Sequence, residues 1–266
     1  MKILVPIKQV PETSNVKMDP ETGTMVREGV EAIVNPLDLY AIETALQLRE
    51  KHGGTITALS MGPPKAHLAL REAVAMGCDD AVLLSHKGFA GSDTWATAYS
   101  LALAIKKLGR PDLILCGERA TDGDTGQVPL GLAAALDLPA ATFVSHVESC
   151  DDGNIVVRRL VEEGYERLGL PLPALMTVVK QISDPRLPTL RGKQRARKMD
   201  LPTWGPDDIG ADTSLIGLRG SPTRVVKIFR PTLSRKGRIL QPKDDDALRN
   251  TVDELIQFLK EKRLVE

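Results

Sequence analysis

The sequence predicts a doubly wound α/β fold built on a mostly parallel sheet, and three observations carry that reading. Short runs rich in Val, Ile and Leu alternate with helical patterns up to about residue 145. The runs are apolar at nearly every position, as strands are when crossover helices cover both faces of their sheet. The helices between them are punctuated by Asn, Asp or Pro at the start and Gly at the stop, the residues that helix ends favour.

The expected strands are Ile3–Ile7, Thr55–Ser60, Asp80–Ser85, Leu113–Cys116 and Ala141–His146. The stretch NPLDLYAIETALQLREKHGG gives the first helix. Asn35 is its N-cap, Pro36 its first helical residue, Asp38 lies in its first turn and Gly53 just past its end. Leu39, Ile42, Leu46 and Leu48 fall mostly on one face of it. PPKAHLALREAVAMG repeats the scheme with Gly77 as stop. SDTWATAYSLALAIKKLG begins at Ser92 or Asp93, carries Trp95, Ala98, Leu101 and Ile105 as a stripe, and ends at Gly109. Alternation at this spacing implies a right-handed, doubly wound sheet.

Beyond residue 145 the pattern changes. NIVVRRLVEEGYERLGLPLPALMTVV alternates like two strands of a hairpin centred near Glu163–Tyr165. Proline-punctuated, charged segments follow Lys180 and read as a long loop, which in a compact domain has a job or serves as a linker. The last segment, Asp244–Leu264, is a helix with acidic residues at its start and basic ones at its end, matching the helix dipole. Its Leu248, Val252, Leu255 and Leu259 make a narrow seam that either packs back on its own domain or docks on another.

Bulk composition narrows the function classes. The chain has 266 residues, 42% of them hydrophobic, enough for a sizeable core. Lys and Arg total 35, as do Asp and Glu, so no net field favours nucleic acid or an anionic membrane. Cys78, Cys116 and Cys150 are odd in number and far apart, which argues against a disulfide framework or zinc site and fits the cytoplasm. Cys116 reads as a small buried hydrophobe rather than a nucleophile. No stretch approaches the ~20 apolar residues of a membrane span, and MKILVPIKQV reads as a strand, not a signal peptide. His52, His67, His86 and His146 show no ligand spacing.

One stretch poses a chemical question. GERATDGDTGQVPLGLA, residues 117–133, joins aspartates and glycines to a small, apolar helical run. Pro129 fits only near a helix start, so that helix begins between about Thr125 and Val128. The N–H groups of Thr125, Gly126, Gln127 and Val128 then lie at an unsatisfied, partly positive terminus. Gly123 and Gly126 permit positive φ and close approach of a ligand. Three readings stand. Backbone N–H groups hold a phosphate while the aspartates cap neighbouring N–H groups; Asp122 and Asp124 converge on a nucleotide-borne magnesium ion; or the stretch is an Asp/Gly turn with Asp124 or Thr125 as N-cap. Position bears on the choice. The end of the first strand, the Asn35–Asp38 helix start, Ser60–Pro64 and the Asp93–Thr94 helix start share one sheet edge, where doubly wound folds take their ligands. Neither an ordinary dinucleotide fingerprint nor a P-loop is present.

Four ordered stretches resemble the small, β subunit of an electron transfer flavoprotein over essentially the whole length. They are ILVPIKQVPET, NPLDLYAIETALQL, CGERATDGDTGQV and VRRLVEEGYERLGLPLPALMT. The resemblance implies a heterodimer with an α subunit that carries FAD, and a second adenine nucleotide in the β-subunit crevice. In ordinary carriers that nucleotide is AMP. In the electron-bifurcating branch it is FAD, reduced by NADH, with electrons passing to ferredoxin or flavodoxin and to the α-subunit FAD. By position, nucleotide contacts carry over to Pro6, Asn35, Leu37, Asp38, Met61 and Thr94, and to Asp122, Gly123, Asp124, Thr125, Gly126, Gln127 and Val128. DGDTGQV and GSPTRVVKIFRP (residues 220–231) are similar to the bifurcating branch; Glu12 and the order Pro129–Gly131 depart from it. DPRLPTLRGK resembles the loop that anchors a partner dehydrogenase, with Leu190 as plug and Arg191 beside it.

The expected organisation is therefore a Rossmann-like, adenine-nucleotide-binding core over residues 1–182, including the hairpin near 155–180. A partner-recognition loop and basic segment follow over 183–200, then a C-terminal arm and helix over 201–266 that dock on the α subunit. The expected function is electron transfer with FAD, or AMP as the alternative, with no metal and no catalytic acid or base, since flavin carries its own redox chemistry. The rivals are an ATP-binding adenylyl-transfer or sensor protein, and a pure scaffold for the partner subunit.

Overall fold

A computed structural model describes residues 1–12, 32–151, 153–226, 237 and 239–265. The chain divides into two compact units, Met1–Lys227 and Ile228–Glu266. In the first, strands β1 (Lys2–Pro6), β4 (Thr55–Met61), β5 (Asp80–Leu84) and β6 (Leu113–Gly117) alternate with helices α1 (Pro36–His52), α2 (His67–Met76) and α3 (Thr94–Leu108). Helix α4 (Val128–Leu136) follows β6, then β7 (Ala140–Asp151), β8 (Asn154–Val161), β9 (Gly164–Pro171) and β10 (Ala174–Val178). Helix α5 (Leu190–Lys198) and β11 (Thr203–Trp204) complete the main body, and β2 (Gln9–Pro11) pairs antiparallel with β3 (Ala32–Val34) beside it.

Among the described residues nine strands form one sheet in the order β11-β5-β4-β1-β6-β10-β7-β8-β9. Pairings from β11 across to β7 are parallel, while β7, β8 and β9 pair antiparallel. The doubly wound expectation is met in the packing of alternate strand residues. Ile3, Val5, Ile56 and Leu115 face Ile42, Leu46, Leu70 and Val74 of α1 and α2. Leu4, Leu59, Val82 and Ile114 face Leu101, Ile105 and Leu132 of α3 and α4. Strands β1, β4, β5 and β6 are thus covered on both faces, which is why their sequences are mostly apolar.

Several expectations need correction. PALMT is not the second arm of a hairpin: Ala174–Val178 is a central strand, fully buried and parallel to both β6 and β7. The hairpin itself is β8 and β9, turning at Glu162–Glu163. Strand β7 runs on to Asp151 through two register shifts, which bend a strand sharply. Trp95 is 63% exposed, because it stands in the first turn of α3, beyond the strand ends that cover Ala98, Leu101 and Ile105. The basic run is helical rather than loop: α5 packs Ala196 against the α2 side of the core, and Arg195 donates to the Val74 and Cys78 carbonyls at the end of α2.

The second unit contains α6 (Asp245–Glu261). Asp244 caps it by accepting from the Ala247 N–H at 2.7 Å. None of its residues is buried, and Leu248, Val252 and Leu255 are exposed. Residues 227–231 of the GSPTRVVKIFRP stretch lie outside the described residues.

Candidate functional site

The sheet order places β4 and β5 on one side of β1 and β6 on the other, so the winding direction reverses between β1 and β6. A crevice opens beyond the carboxyl ends of strands at such a switch point. Pro6 and Gly117 end those two strands, and Met61 ends the neighbouring β4. Leu37 and Asp38 lie in the first turn of α1, Thr94 starts α3, and Val128 starts α4. All thirteen sequence-assigned nucleotide positions therefore sit on strand ends, helix starts or the β6–α4 loop at this one edge.

Asn35 holds the edge together, but not as a helix cap. Its side chain makes no cap bond. Instead Nδ2 donates to the Arg119 carbonyl at 2.9 Å and Oδ1 accepts from the Thr121 N–H at 3.2 Å, stapling the β6–α4 loop to α1. Asp38 is buried and accepts from the Lys8 N–H at 2.7 Å. Burial pushes its carboxyl up to about 7, against hydrogen bonds from the Lys8 N–H, Asn35 and the Gly117 N–H that favour the ionised form. Gly117 is the close approach here: a Cβ would stand 2.5 Å from Asp38 Oδ1 and 2.8 Å from the Leu37 carbonyl carbon.

The aspartates of the loop do not cap N–H groups as expected. Asp122 accepts from Lys8 Nζ at 2.6 Å and Asp124 from Arg119 Nη1 at 3.0 Å. Both carboxylates are matched to cations, which removes the repulsion they would offer a phosphate. Among the described residues no three His, Cys, Asp or Glu side chains are grouped for a metal ion. Helix α4 is left with Gln127 at its N-cap and no side-chain cap, so its terminal N–H groups remain available. Gly126 has φ +61°, and a Cβ built on Gly123 meets nothing within 4 Å. Ser60 Oγ, beside Met61, is buried without a partner. An uncapped terminus, an open glycine and an orphaned hydroxyl fit a phosphate-bearing group.

The other lip is built from far along the chain. Asp93 Oδ1 caps α3 by accepting from the Trp95 and Ala96 N–H groups, at 3.0 and 3.1 Å. Its Oδ2 accepts from the Thr223 N–H and hydroxyl at 2.9 and 2.8 Å, while the Asp93 N–H donates to Ser221 Oγ at 2.8 Å. Burial raises the Asp93 pKa, but the hydrogen bonds from Ala96, Thr223 and Trp95 outweigh it and hold the carboxyl below the ordinary range.

Leu190 and Arg191 are not part of this edge. They begin α5, where Thr189 Oγ1 accepts from the Gly192 N–H at 2.9 Å. Arg191 lines a cavity of about 370 Å³ with Arg49, Gly77, Asp79 and Arg195, by the end of α2 and the start of β5. Leu187 and Leu190 are each 86% exposed. The segment is anchored by Arg186, which donates to Glu43 through Nε at 2.8 Å and to Glu50 through Nη1 at 2.5 Å.

A family model for the electron transfer flavoprotein domain matches residues 22–209. The electron transfer flavoprotein subunit beta of Thermoanaerobacterium thermosaccharolyticum is 45% identical over 256 residues, covering 96% of this chain and 98% of that one. The chain belongs to the electron transfer flavoprotein β-subunit family. It is also 42% identical over the full length of both chains to the caffeyl-CoA reductase-Etf complex subunit CarD of Acetobacterium woodii. Protein FixA of Azotobacter vinelandii is 42% identical over 253 residues, covering 92% of this chain and 90% of FixA. Membership assigns this electron transfer flavoprotein chain to electron transport in association with a flavin.

Sequence reading missed three site elements of this flavoprotein subunit. Gly117 was visible only as a glycine closing a strand. Lys8 was visible as a lone cation in the first βα turn. The Ser221–Thr223 contact with Asp93 leaves no local signal, since 128 and 130 residues separate the partners. The three thiols are free and buried. Burial pushes Cys78 up to about 12 and raises Cys116 and Cys150 as well, the opposite of nucleophile activation.

Proposed function

We propose that this chain is the nucleotide-binding subunit of a heterodimer with an electron transfer flavoprotein α subunit, and that its crevice holds FAD. The observation that carries this reading is the uncapped α4 terminus at the switch point, facing a glycine loop whose carboxylates are already neutralised. Flavin supplies hydride and electron chemistry when bound. The chain's residues bind and orient: Gly126, Gln127 and Val128 offer backbone N–H groups to phosphate, while Pro6, Asn35, Leu37, Asp38, Met61 and Thr94 wall the crevice. Asp122, Gly123, Asp124 and Thr125 form its flexible-backbone rim, with the two aspartates paired away from the anion.

In this reading NADH is the electron source, the outlets are the α-subunit FAD and ferredoxin or flavodoxin, and an acyl-CoA-type dehydrogenase docks at Leu190 and Arg191. The exposed seam of α6 suits the α subunit as its cover, and the buried, free thiols suit the cytoplasm. The second lip at Ser221–Thr223 favours a ligand longer than a mononucleotide. A single uncapped terminus would also serve AMP, in a simpler carrier that takes electrons from dehydrogenases.

Purifying the heterodimer and counting its nucleotides separates these. About two FAD per heterodimer supports the proposal; one FAD with one AMP sinks the bifurcating reading and leaves the carrier. Adenylate formation by the chain alone would instead revive the adenylyl-transfer rival. Titration with NADH then locates the entry point, since one flavin should bleach before the other.

A further inference from the structure

Lys8 stands two residues beyond β1, at the switch point itself. Its backbone is fixed on both sides: the N–H donates to Asp38 Oδ2 at 2.7 Å and the carbonyl accepts from the Asn35 N–H at 2.8 Å. From that fixed base its ammonium reaches across the sequence to Asp122, at 2.6 Å, in the middle of the β6–α4 loop. The pair therefore ties the β1 end to the β6–α4 loop at the edge where a ligand would enter.

The loop does not depend on that bridge alone. Asn35 pins Arg119 and Thr121 at one end, and α4 fixes the other. What Lys8 holds is the stretch between, where the Thr125 N–H donates to the Gly123 carbonyl at 3.2 Å and Gly126 supplies the positive φ. The energetics allow release. The Lys8 side chain is 47% exposed and that of Asp122 17%, so water reaches the ammonium and weakens its hold on the carboxylate. A phosphate group carries more negative charge and more acceptor oxygens than a carboxylate, so the same ammonium is held more strongly there.

We propose that Lys8 is an exchangeable latch: it pairs with Asp122 while the crevice is empty and transfers to the phosphate of an entering adenine nucleotide. Asp122 is then the placeholder for that phosphate. The exchange keeps the ammonium paired in both states and releases Asp122, which turns to solvent with residues 122–125 and away from the bound anion. It rests on the nucleotide reading above and adds to it a side-chain phosphate contact that the backbone cradle lacks.

The two partners should respond with opposite signs. The test uses the full chain purified with its α subunit and stripped of nucleotide, titrated with AMP and FAD, and with adenosine as the phosphate-free control. Lys8→Met should weaken AMP and FAD about tenfold or more and leave adenosine unchanged, and Lys8→Arg should restore binding. Asp122→Asn should tighten AMP and FAD, and should speed amide hydrogen exchange over residues 121–126 in the empty protein. If both variants weaken binding alike, the pair is a fixed strut; the exchange is overturned and the nucleotide reading stands. Unchanged AMP and FAD affinity in Lys8→Met overturns it equally. A wild-type protein that takes up neither AMP nor FAD overturns the nucleotide reading and the exchange with it.

Discussion

Asp38 is where one residue's chemistry sets a property of the whole crevice. Its carboxylate links the β1 end, the α1 start and Gly117, and burial pushes its pKa from 3.8 to about 7. Between those values the folded chain keeps a proton that the unfolded chain has released. Stability contributed by this group is therefore full below about 4, falls as pH rises through about 7, and is flat above it. Asp38→Asn removes the titration. The melting temperature of the variant, measured relative to wild type, should climb between pH 4 and 7 and then level off. A difference that does not change across that window would show that the carboxyl titrates normally. Gly117 belongs to the same knot, since its missing Cβ is what lets strand end and helix start meet.

Among the elements, the segment before α5 is clamped by charge. Arg186 bridges Glu43 and Glu50, two turns apart on α1, and the Glu43 side chain is only 4% exposed. Burial works against the Glu43 charge, but hydrogen bonds from Arg186 and Gln47 outweigh it and hold the carboxyl below its ordinary range. That contribution is present above the ordinary carboxylate pKa and is lost as pH falls through the depressed one. Arg186→Met leaves Glu43 buried without its cation, and should cost about 3 kcal/mol in denaturant unfolding. An unfolding midpoint equal to that of wild type would mean that the clamp contributes nothing.

Elements with local punctuation were legible in the sequence. Helix α1 starts at Pro36 and stops before Gly53 as read, and Asp93 caps α3. The function of such a residue was less legible than its position: Asn35 precedes the helix as expected, yet its amide serves the loop opposite. Helix α5 escaped because eight of its nine residues are unburied, leaving no apolar stripe to count. The start of α4 after the glycine loop could be read because proline and glycine constrain backbone directly. The latch at Lys8 and the lip at Thr223 could not, because both are tertiary pairings between distant parts of the chain.

At the scale of the whole molecule, PALMT shows the same limit. A run of five buried residues, four of them apolar, says that a strand is covered on both faces, but not where in the sheet it lies. The strand order supplies the answer: β10 is inserted between β6 and β7, both of which precede it in the chain. This has a consequence for synthesis. A nascent chain that has already made β6 and β7 cannot join them, because the strand that belongs between them has not yet left the ribosome. Until residue 178 emerges, two apolar strand edges face an empty slot, the exposure that invites pairing with other chains. A polypeptide ending at residue 172 should therefore aggregate, and one ending at residue 226 should stay dispersed in the same sedimentation assay. If the shorter one also stays dispersed, its edges are protected by some other route. Evolution of this subunit is then constrained in timing as well as in shape, since the middle of its sheet is among the last parts of that sheet to arrive.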